Sequence, residues 1–170
     1  MDYETPQFFH VMQYADAADG DVIDMVSGNP DWEPPEAIRE GLGEYAEADA
    51  DEFQYPPSDG LEPLREEIAQ RRNVDPDRVI VTNGTGEANY LGIARALDRE
   101  AGDECVLIDP VYPYYPGKVS MLDGETRLVE AARDGSLDTE ATCEAIGPDT
   151  ALVILNTPNN PTGAVYDIES

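Results

Sequence analysis

The sequence contains very few of the side chains from which metal centres and covalent catalytic sites are built. Its 170 residues include one lysine, Lys118, one histidine, His10, and two cysteines, Cys105 and Cys143. A single histidine excludes a zinc cluster built from several imidazoles. The cysteines fall in an apolar strand and a predicted helix, which indicates buried thiols rather than a disulfide or a metal site. We therefore expect no metal site.

Basic residues and long apolar runs are also scarce. The chain has 10 basic and 37 acidic residues, a net charge of −27 and a pI near 4.1. Nucleic acid is a poor partner for such a chain, because phosphate contacts need clusters of Lys and Arg. No apolar run is long enough to span a bilayer, and the first four residues lack the basic start of a secretory signal. We expect a soluble, cytoplasmic protein with no nucleic-acid or membrane partner.

The acidic residues are spread over the whole sequence rather than gathered in one tail. This distribution is typical of a solvated acidic surface adapted to a salt-rich cytosol, where a short Debye length suppresses self-repulsion. The alternative is a lysine-poor acidic protein from ordinary salt. Either way, the charge describes the environment rather than a reaction.

Short apolar runs alternate with helical periodicity along the chain, after an amino-terminal arm. Helices are predicted at 35–48, 61–72, 138–146, in the segment that contains Tyr90 and Ile93, and from Pro113. Strands are predicted at 79–81, 105–108, 128–129 and 151–155. Strands that are apolar throughout and separated by helices indicate an α/β fold, with a mainly parallel sheet covered by helices on both faces.

Three loops follow predicted strands. Thr82–Gly86 has the glycines that let a backbone approach an anion ahead of a helix N-terminus, although a tight turn without a ligand is the alternative. Asp109–Tyr115 crowds tyrosines together, either as core or as a flat wall for a planar ligand. Asn156–Gly163 packs turn-forming residues directly after a buried strand. Because such loops meet at one edge of a parallel sheet, together they predict a site for one phosphorylated planar ligand.

These loops, in this order, resemble those of the fold-type I pyridoxal-phosphate-dependent aminotransferases. The resemblance implies that Gly84, Thr85 and Gly86 bind the phosphate of pyridoxal 5′-phosphate. It also implies that Tyr112 stacks on the pyridine ring and that Asn160 hydrogen-bonds the phenolic oxygen of the ring.

The resemblance starts near Asp24 and covers nearly the whole chain. It implies that Gly28, in the run Ser27–Asp31, closes over the bound amino acid. Tyr55 is similar to the tyrosine that reaches across a homodimer interface to the phosphate. Residues 1–50 would then be an arm and helix on the small-domain side. Residues 51–170 would be the first part of the cofactor-binding large domain, incomplete at its carboxyl end.

No catalytic residue is assigned in this chain. In the family, the Schiff-base lysine, the acid beside the pyridine nitrogen and the substrate-binding arginine follow the asparagine turn, and we expect the sequence to stop before them. Lys118 is expected on the surface of a helix. The implied activity is exchange of an amino group between an amino acid and a 2-oxo acid, with this chain inactive alone. An amino-acid lyase fragment and a non-catalytic remnant stay open, and the substrate is not determined.

Overall fold

A computed structural model of the chain describes residues 7–98 and 102–169; the part of the predicted arm before Gln7 lies outside them. Six α-helices and three strands occur in the described residues. In chain order they are α1 (Gln7–Asp16), α2 (Glu36–Ala46), α3 (Glu62–Arg72), α4 (Thr85–Leu97), β1 (Glu104–Asp109), α5 (Tyr114–Met121), β2 (Glu125–Glu130), α6 (Thr139–Ala145) and β3 (Thr150–Ile154). Short 3₁₀ turns occupy Ala50–Phe53 and Pro76–Arg78.

The chain divides into two compact units, and the boundary falls between Thr82 and Asn83. One unit is Phe8–Thr82, with α2 and α3 and nearly all of α1. The other runs from Asn83 towards the carboxyl end and contains the sheet. The predicted division at residue 50, between a small-domain part and a cofactor-binding large-domain part, stays a prediction.

The three strands form one parallel sheet in the order β2-β1-β3. The register pairs Leu107 of β1 with Leu128 of β2 and with Ile154 of β3. β1 lies in the middle, and its residues from Cys105 to Ile108 are buried. The predicted parallel sheet is confirmed, since both pairings of β1 are parallel.

Helices cover both faces of the sheet, as predicted. On one face, Val106 and Ile108 of β1 pack with Val129 of β2 and Ala145 of α6. On the other, Cys105 packs with Ile93 of α4 and Val119 of α5. The alternation along β1 follows from the two-residue period of a strand, which sends neighbouring side chains to opposite faces.

A glycine fixes the start of the central strand. Gly102 has a φ of +135°, and a Cβ there would overlap the backbone carbonyl of Asp149. Two residues on, the Glu104 N–H donates to the same carbonyl oxygen at 2.9 Å. This close backbone approach needs a residue without a side chain.

The predicted strand at 79–81 is wrong. The segment is extended, with Val79 buried and Ile80 exposed, but among the described residues it belongs to no ladder. The Val81 N–H donates to the Asp59 carbonyl at 2.9 Å, and the Val79 N–H donates to the nearby Pro76 carbonyl at 3.0 Å. An apolar extended run becomes a strand only where a neighbour supplies a ladder of hydrogen bonds.

Two further expectations need correction. The amino-terminal arm contains a helix, α1, none of whose residues is buried. Cys105 is buried and free as expected, whereas Cys143 is free but exposed on α6. Burial and, secondarily, the neighbouring Glu104 carboxylate raise the pKa of the Cys105 thiol.

Among the helices of residues 7–98 and 102–169, none combines the length and apolarity that crossing a bilayer requires.

Candidate functional site

The predicted phosphate loop forms the start of helix α4. Gly84 is the residue before the helix and has a φ of +84°, a conformation that favours glycine. A Cβ on Gly84 or Gly86 would meet nothing within 4 Å, and residues 83–88 are exposed. The first N–H groups of an α-helix have no acceptor within the helix, and its dipole is positive there. The start of α4 therefore offers donors and open space to an anion.

A carboxylate shares this helix start. The Glu87 carboxylate accepts from the Asn83 N–H at 2.6 Å and from its Nδ2 at 3.0 Å. This contact holds the loop residue Asn83 against the first turn and places a negative charge at the start of the helix. Any anion bound at the start of α4 has to approach beside this charge.

Helix α4 is directed so that its start faces the carboxyl edge of the sheet. A Cβ on Gly124, which precedes β2, would come within 2.8 Å of Leu97 at the end of the helix. Ile93, one turn earlier, packs against Cys105 near the start of β1. Since 13 residues of helix and six of strand each span about 20 Å, the Gly84 end lies towards the opposite edge.

Tyr112 lies in the loop that follows β1, within a cluster of tyrosines. Its ring centroid is 4.9 Å from that of Tyr114 and 6.0 Å from that of Tyr115. A tyrosine hydroxyl is protonated at neutral pH, and partial burial, with smaller contributions from these two neighbours, raises the pKa of the Tyr112 hydroxyl further. The ring is therefore a neutral, flat surface held on two sides.

The turn that follows β3 is built around Asn159. Its N–H donates to the Ala164 carbonyl at 2.8 Å, and its own carbonyl accepts from the Gly163 N–H at 2.8 Å. Gly163 has a φ of +73°, which explains the glycine at that position. Asn160, the predicted ligand residue, is exposed on this turn, whereas Asn159 is buried.

A side-chain hydrogen bond joins this turn to the tyrosine loop. Asn159 Nδ2 donates to the Pro110 carbonyl at 3.2 Å and lies 3.3 Å from the Tyr166 hydroxyl oxygen. Because β1 and β3 are adjacent and parallel, the two loops leave the same edge of the sheet. The structure thus brings Tyr112 and Asn160 to one edge, towards which the Gly84 end of α4 is directed.

Gly28 lies in the other compact unit, in a loop ordered by Asp24. The Asp24 carboxylate accepts from the backbone N–H groups of Val26 and Ser27 and from the Ser27 hydroxyl. The Ser27 hydroxyl, then these backbone donors, lower the pKa of Asp24. A Cβ on Gly28 would meet nothing within 4 Å, so packing inside this unit does not require the glycine.

Tyr55 also lies in this unit, and its side chain is fully exposed, at 101%. The loop that carries it ends at Gly60, whose φ is +105° and where a Cβ would overlap the Val81 side chain. Arg65 of α3 fixes this join: it pairs with the Asp59 carboxylate and donates to the Val79 carbonyl at 3.0 Å. Tyr55 therefore projects from an anchored loop into solvent.

Lys118 lies within α5, as predicted, but is half-buried rather than a plain surface residue. Its Nζ is 4.9 Å from the centroid of the Tyr114 ring. Burial lowers the pKa of its ammonium group. The ring contact accounts for its position without a ligand.

Two contributors to this region were missed in the sequence, namely Glu87 and Asn159. Glu87 follows a glycine-rich turn as an acid in a first helical turn, which is a recognisable signal. The motif Asn160–Gly163 singles out Asn160, but no sequence signal shows that the adjacent Asn159 turns inward and contacts the tyrosine loop. Within the described residues, no group of three or more His, Cys, Asp or Glu side chains is arranged to hold a metal ion.

Comparison with known proteins finds that this chain is similar to aminotransferases. The family model for aminotransferase class I and II matches residues 20–170. A probable aspartate aminotransferase of Methanocaldococcus jannaschii is 34% identical over 90% of this chain. A probable N-succinyldiaminopimelate aminotransferase of Mycobacterium tuberculosis is 33% identical over 84% of it.

Solved structures agree with this result. A mutant aspartate aminotransferase of Thermus thermophilus, complexed with tryptophan, is 30% identical and superposes on 98% of this chain with a TM-score of 0.85. The match covers 46% of that chain, 41% of the M. jannaschii protein and 38% of the M. tuberculosis protein. The present chain therefore spans less than half the length of these relatives.

Proposed function

We propose, because this chain belongs to the aminotransferase class I and II family, that it is the cofactor-binding segment of an enzyme that exchanges an amino group between an amino acid and a 2-oxo acid. The relatives are named for aspartate and N-succinyldiaminopimelate, among others. Since these names disagree, they support the reaction class and leave the substrate open. Every relative described above is named as an aminotransferase, so none favours the lyase alternative.

One observation carries the proposal: the Asn159–Pro110 hydrogen bond holds the asparagine turn against the tyrosine loop. It brings an exposed amide and a flat, neutral ring to the same edge of a parallel sheet. The anion-accepting start of α4 is directed to that edge. A planar ligand with a phosphate group matches these three features together.

Pyridoxal 5′-phosphate fits the residues present. The backbone around Gly84 and Gly86 leaves space where a side chain would stand, and the Thr85 hydroxyl adds a donor for the phosphate. Tyr112 would cover one face of the ring, and the Asn160 amide would donate to the phenolic oxygen. When bound, the cofactor supplies an electron sink for the carbanion formed at Cα of the amino acid.

The chain's own contribution is binding and orientation. Tyr112 would exclude water from one face of the bound ring, and the Asn160 amide would orient the ring. Glu87, which holds Asn83 at the start of α4, would add negative charge near the phosphate and moderate the affinity of the helix start for anions. Lys118, with its Nζ over the Tyr114 ring, is assigned no part in proton transfer.

The remaining predicted contacts need a second subunit or the substrate. Tyr55 is exposed on an anchored loop, which suits a side chain that reaches the phosphate of a partner in a homodimer. Gly28 has no packing role within its own unit, which suits a residue that closes over the bound amino acid.

Binding of pyridoxine 5′-phosphate by the 170-residue chain tests this proposal. The probe has an alcohol in place of the aldehyde, so it cannot react with Lys118 and reports non-covalent binding alone. We expect saturable binding by calorimetry, weakened about 2- to 12-fold by Tyr112→Ala and about fivefold by Asn160→Ala, the values for one aromatic contact and one hydrogen bond.

Tyr14→Ala is the matched control, because Tyr14 is an exposed tyrosine in the other unit. It should leave the affinity unchanged. Binding that is equally strong in Tyr112→Ala, Asn160→Ala and the unaltered chain would contradict the proposed site.

A further inference from the structure

Asn159 is a buried polar side chain that satisfies only half of its hydrogen-bonding capacity. It is 7% exposed. Its Nδ2 donates to the Pro110 carbonyl, with the Tyr166 hydroxyl close by. Its Oδ1 is buried and accepts no hydrogen bond from any described residue. The orientation of the amide follows from its NH₂ group, because the Pro110 carbonyl oxygen and the Tyr166 hydroxyl oxygen both lie beside Nδ2.

The stability of the fold does not explain an asparagine at this position. The free-energy cost of burying the Oδ1 acceptor without a donor offsets what the hydrogen bonds from Nδ2 to the Pro110 carbonyl and the Tyr166 hydroxyl contribute to stability. An apolar side chain of the same size would carry no such cost. What distinguishes asparagine is the contact itself, which joins two loops at the edge of the sheet.

Three groups of Asn159 act on these loops. Its backbone N–H and carbonyl close the turn through Ala164 and Gly163, each at 2.8 Å. Its side chain holds Pro110, two residues before Tyr112. Asn160 follows directly in the chain. Asn159 therefore links the backbone that carries Asn160 with the backbone that carries Tyr112.

We propose that Asn159 is a positioning residue that sets the spacing between the Tyr112 ring and the Asn160 amide for a phosphorylated pyridine. This inference rests on the proposed function. A flat, rigid ligand is held by both groups only if their separation is correct to about 0.5 Å. The start of α4, where the phosphate would bind, belongs to neither loop, so binding of a phosphate there should not depend on Asn159.

Two substitutions separate positioning from packing. Asn159→Leu removes the donor and the unpaired acceptor together, at similar volume. We expect pyridoxine 5′-phosphate to bind about fivefold more weakly, the value for one hydrogen bond, with no change in the affinity for inorganic phosphate. The unfolding temperature should not fall, since the cost of the unpaired oxygen disappears with the bond.

Asn159→Asp gives a pH-dependent version of the same test. The ionised carboxylate faces the Pro110 carbonyl and repels it, whereas the protonated carboxyl donates a hydrogen bond to it. Burial raises the pKa of such a carboxyl above its usual value. Relative to the unaltered chain at each pH, binding should be weak at pH 8 and recover as the pH falls. Asn156→Asp, the same change three residues earlier, is the control and should show no such recovery.

The outcomes are distinguishable. If the unaltered chain binds pyridoxine 5′-phosphate and Asn159→Leu binds it equally well, this inference is overturned while the proposed function stands. A lower unfolding temperature in Asn159→Leu, with binding of inorganic phosphate lost as well, would overturn it in favour of a packing role. An unaltered chain that does not bind pyridoxine 5′-phosphate would overturn both.

Discussion

Replacement of Arg65 tests how the loop that carries Tyr55 is anchored. Arg65 lies on α3, and its side chain is only 14% exposed. It donates to the Pro76 carbonyl at 2.8 Å and to the Val79 carbonyl at 3.0 Å, and it pairs with the Asp59 carboxylate. These contacts tie two separate stretches of the Phe8–Thr82 unit, the loop at Asp59 and the turn at Pro76–Val79, to one side chain of α3.

The expected cost follows from these contacts. Arg65→Leu leaves two carbonyls and a carboxylate without their donor. The Asp59 carboxylate is 43% exposed, so its ion pair adds little, but each hydrogen bond from the guanidinium to a carbonyl contributes about 1.5–3 kcal/mol, and we expect a total loss of about 3–5 kcal/mol. Arg65→Lys keeps the charge but has no planar fork to reach both carbonyls, so we expect an intermediate loss of about 2 kcal/mol, that of one or two charged hydrogen bonds.

Arg71→Leu on the same helix is the matched control. Arg71 is 75% exposed and pairs with Glu67 at 2.8 Å, one turn away. An exposed pair of this type contributes about 0.3–0.5 kcal/mol, and leucine and arginine have similar helix propensities. The two substitutions therefore change the same residue type on the same helix and differ in burial and partners.

Urea unfolding followed by tryptophan fluorescence measures the difference. The single tryptophan, Trp32, lies in the same unit as Arg65 but is 73% exposed, so far-ultraviolet circular dichroism is recorded alongside its fluorescence. We expect a lower free energy of unfolding for Arg65→Leu with an unchanged denaturant slope. Equal losses for Arg65→Leu and Arg71→Leu would refute the claim that Arg65 anchors the loop.

Two further perturbations follow from the structure. Gly60→Ala should destabilise the same unit by about 1–3 kcal/mol, because Gly60 has a φ of +105° and an added Cβ overlaps Val81. The control is Gly43→Ala, at an unstrained position inside α2, which should stabilise the unit by about 0.5–1 kcal/mol. The reverse order of stability in urea unfolding would contradict this. Molar KCl should raise the unfolding temperature, because the acidic groups behind the net charge of −27 repel one another and about 1 M salt shortens the Debye length to roughly 3 Å. Loss of the circular dichroism signal on adding KCl would refute salt adaptation.

The sequence predicts the sheet well because its signals are local. The run from Cys105 to Ile108 is apolar at every position, which only a strand covered on both faces needs, and it became the buried centre of the sheet. Residues 79–81 carry a similar apolar signal but form no strand in the described chain. Ladder formation depends on a distant neighbour, which a local pattern does not contain.

Helix α1 was missed for a related reason. None of its residues is buried, so no stripe of core positions distinguishes it from an extended arm. The exposure of Cys143 depends in the same way on tertiary packing, since residue type and helical position are compatible with either outcome.

The residues of the candidate site that local sequence signals reveal were predicted, and the one that depends on tertiary packing was not. Gly84, Tyr112 and Asn160 are conspicuous because glycine, proline and asparagine cluster at strand ends, and the structure brings the loops of Tyr112 and Asn160 to one edge. The role of Asn159 depends on which of two adjacent asparagines turns inward, and the carbonyl it meets belongs to residue 110. That choice is made by the packing of two strands that are 40 residues apart.

The two outer strands of the sheet differ in chemistry. β2 carries Glu125, Arg127 and Glu130 along an exposed strand, and charged side chains of this kind discourage the addition of another strand. β3 is half-buried throughout and has no charged residue, and within the described chain its only ladder partner is β1. Growth of the sheet, whether by a further segment of polypeptide or by a second molecule, is therefore favoured on the β3 side, immediately beside the turn that carries Asn160.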